Sequence, residues 1–332
     1  LLKYDTAYGN AQFGVKVSED KQNLILNFDG TEKQIKFLSI RNLNELPWKD
    51  LNIDVVIEAT GAFATFEKAS GHIEAGAKKV VITAPAKDQP KDETQGTVLM
   101  GINDDKLKNL VVVSNASCTT NAAGPIIQIL HEKIGIEKAI LNTIHGYTAS
   151  QSIVDGPGKK DWKEGRAAAQ NIVPTSTGAA IAVTKVISDL ENKFDGLSMR
   201  VPVVTGSIAD VTFIAKRETS VEEINNILRE ASKEERWNGI FTIVEDPIVS
   251  SDIIGSLFGS IADLGLTRVV DKNLVKVCAW YDNEMGYTAT LIKNVLIRFN
   301  YFPPQAPPAP SPPGCASQLA ALLPPLSTPA DP

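Results

Sequence analysis

The chain has 332 residues, 43% of them hydrophobic and 22% charged, with a formal net charge of −6. That length gives room for two modest domains with sizeable cores, and the mild acidity argues against a nucleic-acid or anionic-membrane partner. No apolar run reaches the roughly 18 residues of a bilayer-spanning helix, and Leu1-Leu2-Lys3-Tyr4-Asp5 lacks the pattern of a signal peptide. Cys118, Cys278 and Cys315 are too few and too scattered for a disulfide framework. A reducing, cytoplasmic setting is expected.

In chain order, residues 24–28 and 34–37 read as strands around the Asp29-Gly30 turn. Residues 54–58 form a buried-strand pattern closed by Thr60-Gly61, 63–75 a helix, 79–83 a strand stopped by Ala84-Pro85, and 110–114 another strand. Near-continuous apolar strands alternating with helix predict a parallel sheet covered on both faces. A helix over about 119–133 follows, and the texture then changes. Strands over 139–143, 199–204, 210–216, 241–244 and 274–280, several of alternating polarity, predict a mainly antiparallel sheet. Helices are expected over 179–190 and 221–230, the second opened by a Ser220 cap. The long polar stretch 150–175 reads as a functional loop. Of the 19 prolines, 11 fall in 303–332, so a disordered or polyproline-like tail is expected there.

Three histidines are present: His72, His131 and His145. His72, in a charged helix, is expected at the surface, and His131 facing solvent or near a helix end. His145 ends a strand and precedes Gly146-Tyr147-Thr148, a place where substrates bind in layered folds. Cys118 lies in Ser114-Asn115-Ala116-Ser117-Cys118-Thr119-Thr120-Asn121, between strand and helix. A helix N-terminus stabilises a thiolate, and a partner imidazole can exchange its proton. Two readings stay open for Cys118: a small buried hydrophobe, or a nucleophile paired with His145. Cys278, in an apolar strand, fits the first, and Cys315 in the tail is taken as incidental.

Ser117-Cys118-Thr119-Thr120-Asn121 resembles the active-site motif of glyceraldehyde-3-phosphate dehydrogenases. The resemblance continues through His145-Gly146-Tyr147-Thr148, Asp155-Gly156-Pro157, Trp162-Lys163-Glu164-Gly165-Arg166 and Pro174-Thr175-Ser176-Thr177-Gly178. It goes on through Arg200-Val201-Pro202-Val203 and Trp280-Tyr281-Asp282-Asn283-Glu284-Met285-Gly286-Tyr287, with Glu58-Ala59-Thr60-Gly61-Ala62-Phe63 and Thr83-Ala84-Pro85-Ala86 upstream. It spans about residues 1–298 in colinear order. It implies a doubly wound, Rossmann-type parallel-sheet domain, truncated over 1–117, and a catalytic domain with a mainly antiparallel sheet over 118–285. A helix over 286–300 returns to the first domain, and 301–332 is a tail unrelated to the family.

The implied reaction is NAD-dependent oxidative phosphorylation of glyceraldehyde 3-phosphate to 1,3-bisphosphoglycerate, a step of glycolysis and gluconeogenesis. Cys118 attacks the aldehyde, giving a thiohemiacetal and then a thioester that phosphate cleaves, while His145 handles the proton. By the same resemblance, Thr148 and Arg200 hold the substrate phosphate, and Ser117, Thr119, Thr177 and Gly178 the inorganic phosphate. For Thr177-Gly178 a helix cap serves equally well. Thr60, Gly61, Phe63, Thr83, Asn283 and Tyr287 line the NAD site, Pro157 fits the NAD-preferring pattern, and the 150–175 loop implies a homotetramer. No metal is implied.

Departures from the family pattern are Ala122, Met285 and Glu164. No G-x-G-x-x-G occurs in the sequence, and residue 1 resembles a point some 40 residues into the family. The expectation is therefore a chain lacking the pyrophosphate-binding turn and binding NAD poorly. Alternatives are erythrose-4-phosphate dehydrogenase, a Cys–His thioester hydrolase or acylating enzyme, and an inactive fragment whose tail binds a partner.

Overall fold

A computed structural model of the chain describes residues 2–158 and 161–297. It opens with a short antiparallel ladder of β1 (Tyr4–Asp5) and β2 (Gly9–Asn10). An antiparallel three-stranded sheet follows, made of β3 (Gly14–Val17), β4 (Asn23–Phe28) and β5 (Thr31–Lys36). Asp29 and Gly30 form its two-residue turn with φ of 50° and 92°, the left-handed conformation that such hairpins need and these residues tolerate.

Next come β6 (Val55–Glu58), α1 (Phe66–Ala69), α2 (Gly71–Glu74), β7 (Lys79–Ile82), β8 (Gln95–Thr97) and β9 (Val112–Ser114). The four strands pair in parallel in the order β6-β7-β9-β8. Val80, Val81, Ile82, Val112 and Val113 are buried, as apolar strands covered on both faces must be. This is the expected Rossmann-type parallel sheet. Its three strands β6, β7 and β9 end at a common edge, and loops leave from there carrying Thr60, Thr83 and Ser117.

The single helix expected over 63–75 is instead two short helices. Thr65 caps the first by accepting the Lys68 N–H, and the Asp88 carboxylate accepts the N–H groups of Phe66 and Glu67. The break falls at Ser70-Gly71, where a Cβ on Gly71 would meet Leu43 at 2.9 Å. Glycine at that point leaves room for the Leu43 side chain against the helix backbone.

His72 corrects the surface assignment: it is 4% exposed. Its Nδ1 accepts the Trp48 indole N–H at 3.1 Å, so Nε2, 3.0 Å from Glu58 Oε2, carries the hydrogen and donates to that carboxyl. The other carboxyl oxygen, Oε1, accepts the Thr60 N–H at 2.9 Å and the Thr60 hydroxyl. The charged neighbours of His72 in sequence face water while the imidazole turns inward to the buried Glu58 carboxyl. His131 proves helix-terminal, its Nδ1 accepting the Ile136 N–H.

The second half contains α3 (Cys118–Ile134), β10 (Ile136–Gly146), β11 (Val173–Ser176), α4 (Ala179–Thr184), β12 (Phe194–Val201) and β13 (Ser207–Ala215). It continues with α5 (Val221–Ala231), β14 (Phe241–Val244), β15 (Ser260–Val270), β16 (Leu274–Tyr281) and α6 (Met285–Ile297). Seven strands form one mixed sheet, β11-β12-β10-β13-β16-β15-β14, parallel only at β10/β12 and β14/β15. One face packs under α3, α4 and α5; Ala209, Val211 and Phe213 of β13 join Ile126, Leu130, Val183 and Leu228 in that core. The helix expected to run to 190 stops at Thr184, with a 3-10 turn at Ser188–Leu190. Strand β15 had no sequence signal because Asp263 and Gly265 interrupt its apolar pattern, and the structure shows a register shift between Asp263 and Arg268. Cys278 is buried, as expected. Helix α6 packs on α3 and on the 3-10 turn Asp104–Lys108 of the first domain. The proline-rich stretch and Cys315 lie outside the described residues.

Replacing His72 by Leu removes a hydrogen bond to a buried carboxyl and strands the Trp48 indole. Urea unfolding should show a loss of about 1.5–3 kcal/mol, with His72→Gln, which keeps a donor and an acceptor, losing less. Equal stabilities would refute the network's role.

Candidate active site

Cys118 is the first residue of α3, and a specific turn puts it there. Ala116 adopts φ 55°, unusual for a residue with a side chain. Its N–H donates to Ser114 Oγ at 3.1 Å, and its carbonyl accepts the Tyr287 hydroxyl at 3.2 Å. Asn121 closes the turn by donating through Nδ2 to the carbonyls of Asn115 and Ser117. Ser117 is the N-cap, its Oγ accepting the Thr120 N–H at 3.1 Å. Within α3, Pro125 removes one helical hydrogen bond, and the Ser260 hydroxyl donates to the nearby Ala122 carbonyl at 2.7 Å.

The Cys118 Sγ lies 3.5 Å from His145 Nε2, at the end of β10. His145 Nδ1 is 2.7 Å from the Gly146 carbonyl; a carbonyl only accepts, so Nδ1 carries the hydrogen and Nε2 is free to accept the thiol proton. Burial, then the Arg200 guanidinium, pushes the imidazole down to about 4, against the pull of the Gly146 carbonyl. Burial also pushes the Cys118 thiol up, although the Thr119 N–H and hydroxyl, Arg200 and the Cys118 N–H favour the thiolate. Near neutrality the resting pair is therefore S–H···N, poised for proton transfer as the sulfur attacks.

Of the other expected residues, Arg200 stands beside this pair. Its Nη1 donates weakly to the Gly146 carbonyl at 3.4 Å, and its buried Nε has no partner. Thr148 is half-buried, its hydroxyl 3.1 Å from Ser150 Oγ. The Thr119 hydroxyl turns inward to Tyr281 Oη at 2.9 Å. Thr177 Oγ1 accepts the Ala179 N–H at 3.2 Å in the turn before α4, whose N-cap position is the exposed Gly178. Thr60 and Gly61 form an exposed turn with Gly61 at φ 72°, Phe63 is half-buried with its ring edge-on to His72, and Thr83 Oγ1 donates to the Glu58 carbonyl. Asn283 Oδ1 accepts from Gly206 N–H, Ser207 Oγ and Thr205 Oγ1. Tyr287 acts on the turn before Cys118, as described.

Tyr281 carried no role in the sequence reading beyond membership of a motif. It is 1% exposed, bridges the Thr119 and Thr143 hydroxyls at 2.9 and 2.7 Å, and stands edge-on to the His145 ring. From the end of β16 it ties α3 to β10 over the intervening β13. Alternation along β16 placed Tyr281 inward, but no sequence signal named what it would meet there.

Two pH effects follow. Because burial raises the thiol pKa, iodoacetamide alkylation of Cys118 should accelerate with rising pH through a midpoint above that of free cysteine; a midpoint below 7 would overturn the S–H···N resting state. Because His145 titrates near 4 when folded but near 6.5 when unfolded, the unfolded chain gains the extra proton as pH falls between those values. Its contribution to stability, roughly 3 kcal/mol, is present above pH 6.5 and lost towards pH 4. Urea midpoints at pH 7 and 4.5 should therefore converge between wild type and His145→Gln as pH falls.

Residues 117–283 match the family model described as "Glyceraldehyde 3-phosphate dehydrogenase, C-terminal domain", and residues 1–66 match "Glyceraldehyde 3-phosphate dehydrogenase, NAD binding domain". The chain is 45% identical over 299 residues to a glyceraldehyde-3-phosphate dehydrogenase of Mycobacterium avium, covering 90% of this chain and 84% of that one. It is 44% identical over 300 residues to one of Clostridium acetobutylicum (89% and 85% covered). To glyceraldehyde-3-phosphate dehydrogenase B of Aspergillus oryzae it is 42% identical over 292 residues (88% and 84% covered). With Cys118 and His145 in contact where the parallel sheet meets α3, the chain belongs to the glyceraldehyde-3-phosphate dehydrogenase family.

Proposed function

We propose that Cys118 and His145 carry out the NAD-dependent oxidation of glyceraldehyde 3-phosphate, and that inorganic phosphate then takes up the acyl group. The observation that carries this reading is the 3.5 Å contact between Cys118 Sγ and His145 Nε2, beside the unpartnered Nε of Arg200. The sulfur adds to the aldehyde carbon while Nε2 takes its proton and returns it to the oxygen, forming a thiohemiacetal. Nε2 then removes that hydroxyl proton as the carbon loses hydride and becomes a thioester. NAD, when bound, supplies the hydride acceptor. Phosphate attacks the thioester, the sulfur leaves, and the imidazolium returns its proton to the thiol. Sulfur suits both halves, since it attacks readily and leaves readily.

The nicotinamide end of NAD fits Asn283, whose oxygen is already occupied and whose Nδ2 remains to donate to a carboxamide oxygen. Thr60, Gly61, Phe63, Thr83 and Tyr287 line the rest of the groove at the common strand edge. The parallel sheet's outer strand β6, with Ile57 exposed among the described residues, suits a further strand of a coenzyme domain there. Thr148 and Arg200 hold the substrate phosphate; Ser117, Thr119, Thr177 and Gly178 receive inorganic phosphate. We take residues 1–117 as the coenzyme domain, 118–285 as the catalytic domain, and 286–300 as the returning helix. A homotetramer is supported by the exposed Ile153, Trp162 and Ile172 of the 150–175 loop. No helix among the described residues is long and apolar enough to cross a membrane.

NADH formation from glyceraldehyde 3-phosphate, NAD and phosphate should fall about 10⁴-fold or more in Cys118→Ser. Arg200→Leu should raise KM for the phosphorylated aldehyde about 10- to 100-fold through loss of a charge-assisted bond. Steady turnover that needs no phosphate would overturn the acyl-phosphate reading.

A further inference from the structure

The Thr60-Gly61 turn is held by a buried carboxylate that the chemistry at Cys118 does not use. Glu58, the last residue of β6, is 3% exposed. Its Oε1 accepts the Thr60 N–H at 2.9 Å and the Thr60 hydroxyl, and Thr60 Oγ1 in turn accepts the Ala62 N–H at 3.1 Å. Among the described residues, no group outside the turn other than Glu58 bonds to Thr60, Gly61 or Ala62. The Glu58 carbonyl accepts both the N–H and the hydroxyl of Thr83 at 3.0 Å. The second carboxylate oxygen, Oε2, accepts from His72 Nε2, whose ring Nδ1 accepts the Trp48 indole N–H. An indole N–H can only donate, so it fixes the His72 tautomer, and that tautomer requires an acceptor at residue 58. Thr60 and Thr83 thus turn their hydroxyl hydrogens inward, leaving oxygen lone pairs for the groove.

We propose that Glu58 is a positioning residue of the coenzyme groove, the end of a Trp48–His72–Glu58 hydrogen-bond chain that holds the Thr60-Gly61 turn and fixes where its hydroxyl points. The inference rests on reading that turn as part of the groove. The two threonine oxygens then fit hydroxyl or amino donors of the dinucleotide. The chain has a direction, and the direction can be reversed. In Glu58→Gln the amide brings one acceptor and one donor. With its oxygen towards Thr60, its NH₂ meets the His72 Nε2–H, donor against donor; turned over, it meets the Thr60 N–H in the same way. Thr60 is exposed and can turn to water, whereas His72 is buried and cannot, so the conflict is released at the turn. Trp48→Phe removes the indole donor. His72 is then free to carry its hydrogen on Nδ1, on the side of the half-buried residue 48, and Nε2 accepts from the new amide, whose oxygen returns to Thr60.

The test compares wild type, Glu58→Gln, Trp48→Phe and the double variant. Amide hydrogen exchange is read at Thr60 and Ala62, with the amides of β13 as the control for an intact fold. Alongside it, kcat/KM for NAD is measured below saturation, which needs turnover rather than tight binding. Glu58→Gln should speed exchange at Thr60 and lower kcat/KM, each roughly ten-fold, as the loss of one charge-assisted hydrogen bond predicts. Trp48→Phe alone should stay near wild type. The double variant should recover most of both losses, whereas two independent destabilising changes would add. Wild-type exchange at Thr60 in Glu58→Gln, or a double variant no better than Glu58→Gln, would overturn the proposal, and both readings are made without coenzyme. Exchange lost and recovered while kcat/KM stays constant would instead take the turn out of the coenzyme groove, and with it the reading on which the positioning role rests. Should Glu58→Gln not fold, the double variant is expected to fold; failure of both would overturn the proposal as well.

Discussion

A thiol at the N-terminus of a helix and also out of water is pulled two ways. Burial favours the neutral S–H, while the Thr119 N–H, its hydroxyl and Arg200 favour the thiolate. His145 sits at the point of balance, because an imidazole held in its neutral form by the same burial can take the proton only as new negative charge is drawn off into a bond. Much of the surrounding structure serves to keep these two side chains 3.5 Å apart. The left-handed Ala116 turn aims the sulfur, and Tyr281 fixes the distance between α3 and β10 through two threonine hydroxyls.

The arrangement needs both sheets. The parallel sheet delivers Thr60, Thr83 and Ser117 to one edge because parallel strands must all end on the same side. The mixed sheet delivers His145 and Arg200 from neighbouring strands that run in parallel, with His145 opposite Arg200 in register. The parallel β10/β12 pair, within an otherwise mostly antiparallel sheet, sets Arg200 beside the imidazole, where its charge adds to burial in keeping the ring neutral.

Beside the apolar core that Val98, Leu107 and Val113 share with α3, specific polar contacts join the halves. Asp282, fully buried, accepts from Tyr8 in the first domain and from the N–H groups of Gly255, Glu284 and Met285. It thereby shapes the turn that presents Asn283. Tyr287 reaches back to the Ala116 carbonyl, so the segment that carries Asn283 also braces the turn before Cys118. Rearrangement on either side of the interface would be felt at both.

Local chemistry was legible along the chain: the Asp29-Gly30 hairpin, the Ser220 cap, the strands of β6, β7 and β14, and the polar strand-to-helix junction that marked Cys118. These depend on neighbours in sequence, through turn conformation, capping and the period of apolar residues. What sequence left open depends on distant partners. His72 lies among charges yet is buried, because Glu58 and Trp48 wait for it across the fold. Strand β15 hides behind Asp263 and Gly265, because a bulge absorbs them. The pairing of Cys118 with His145 and the bridging by Tyr281 span 27 and 138 residues. A side chain's direction along a strand can be read from alternation, but the atom it meets is settled only when sheets and helices pack.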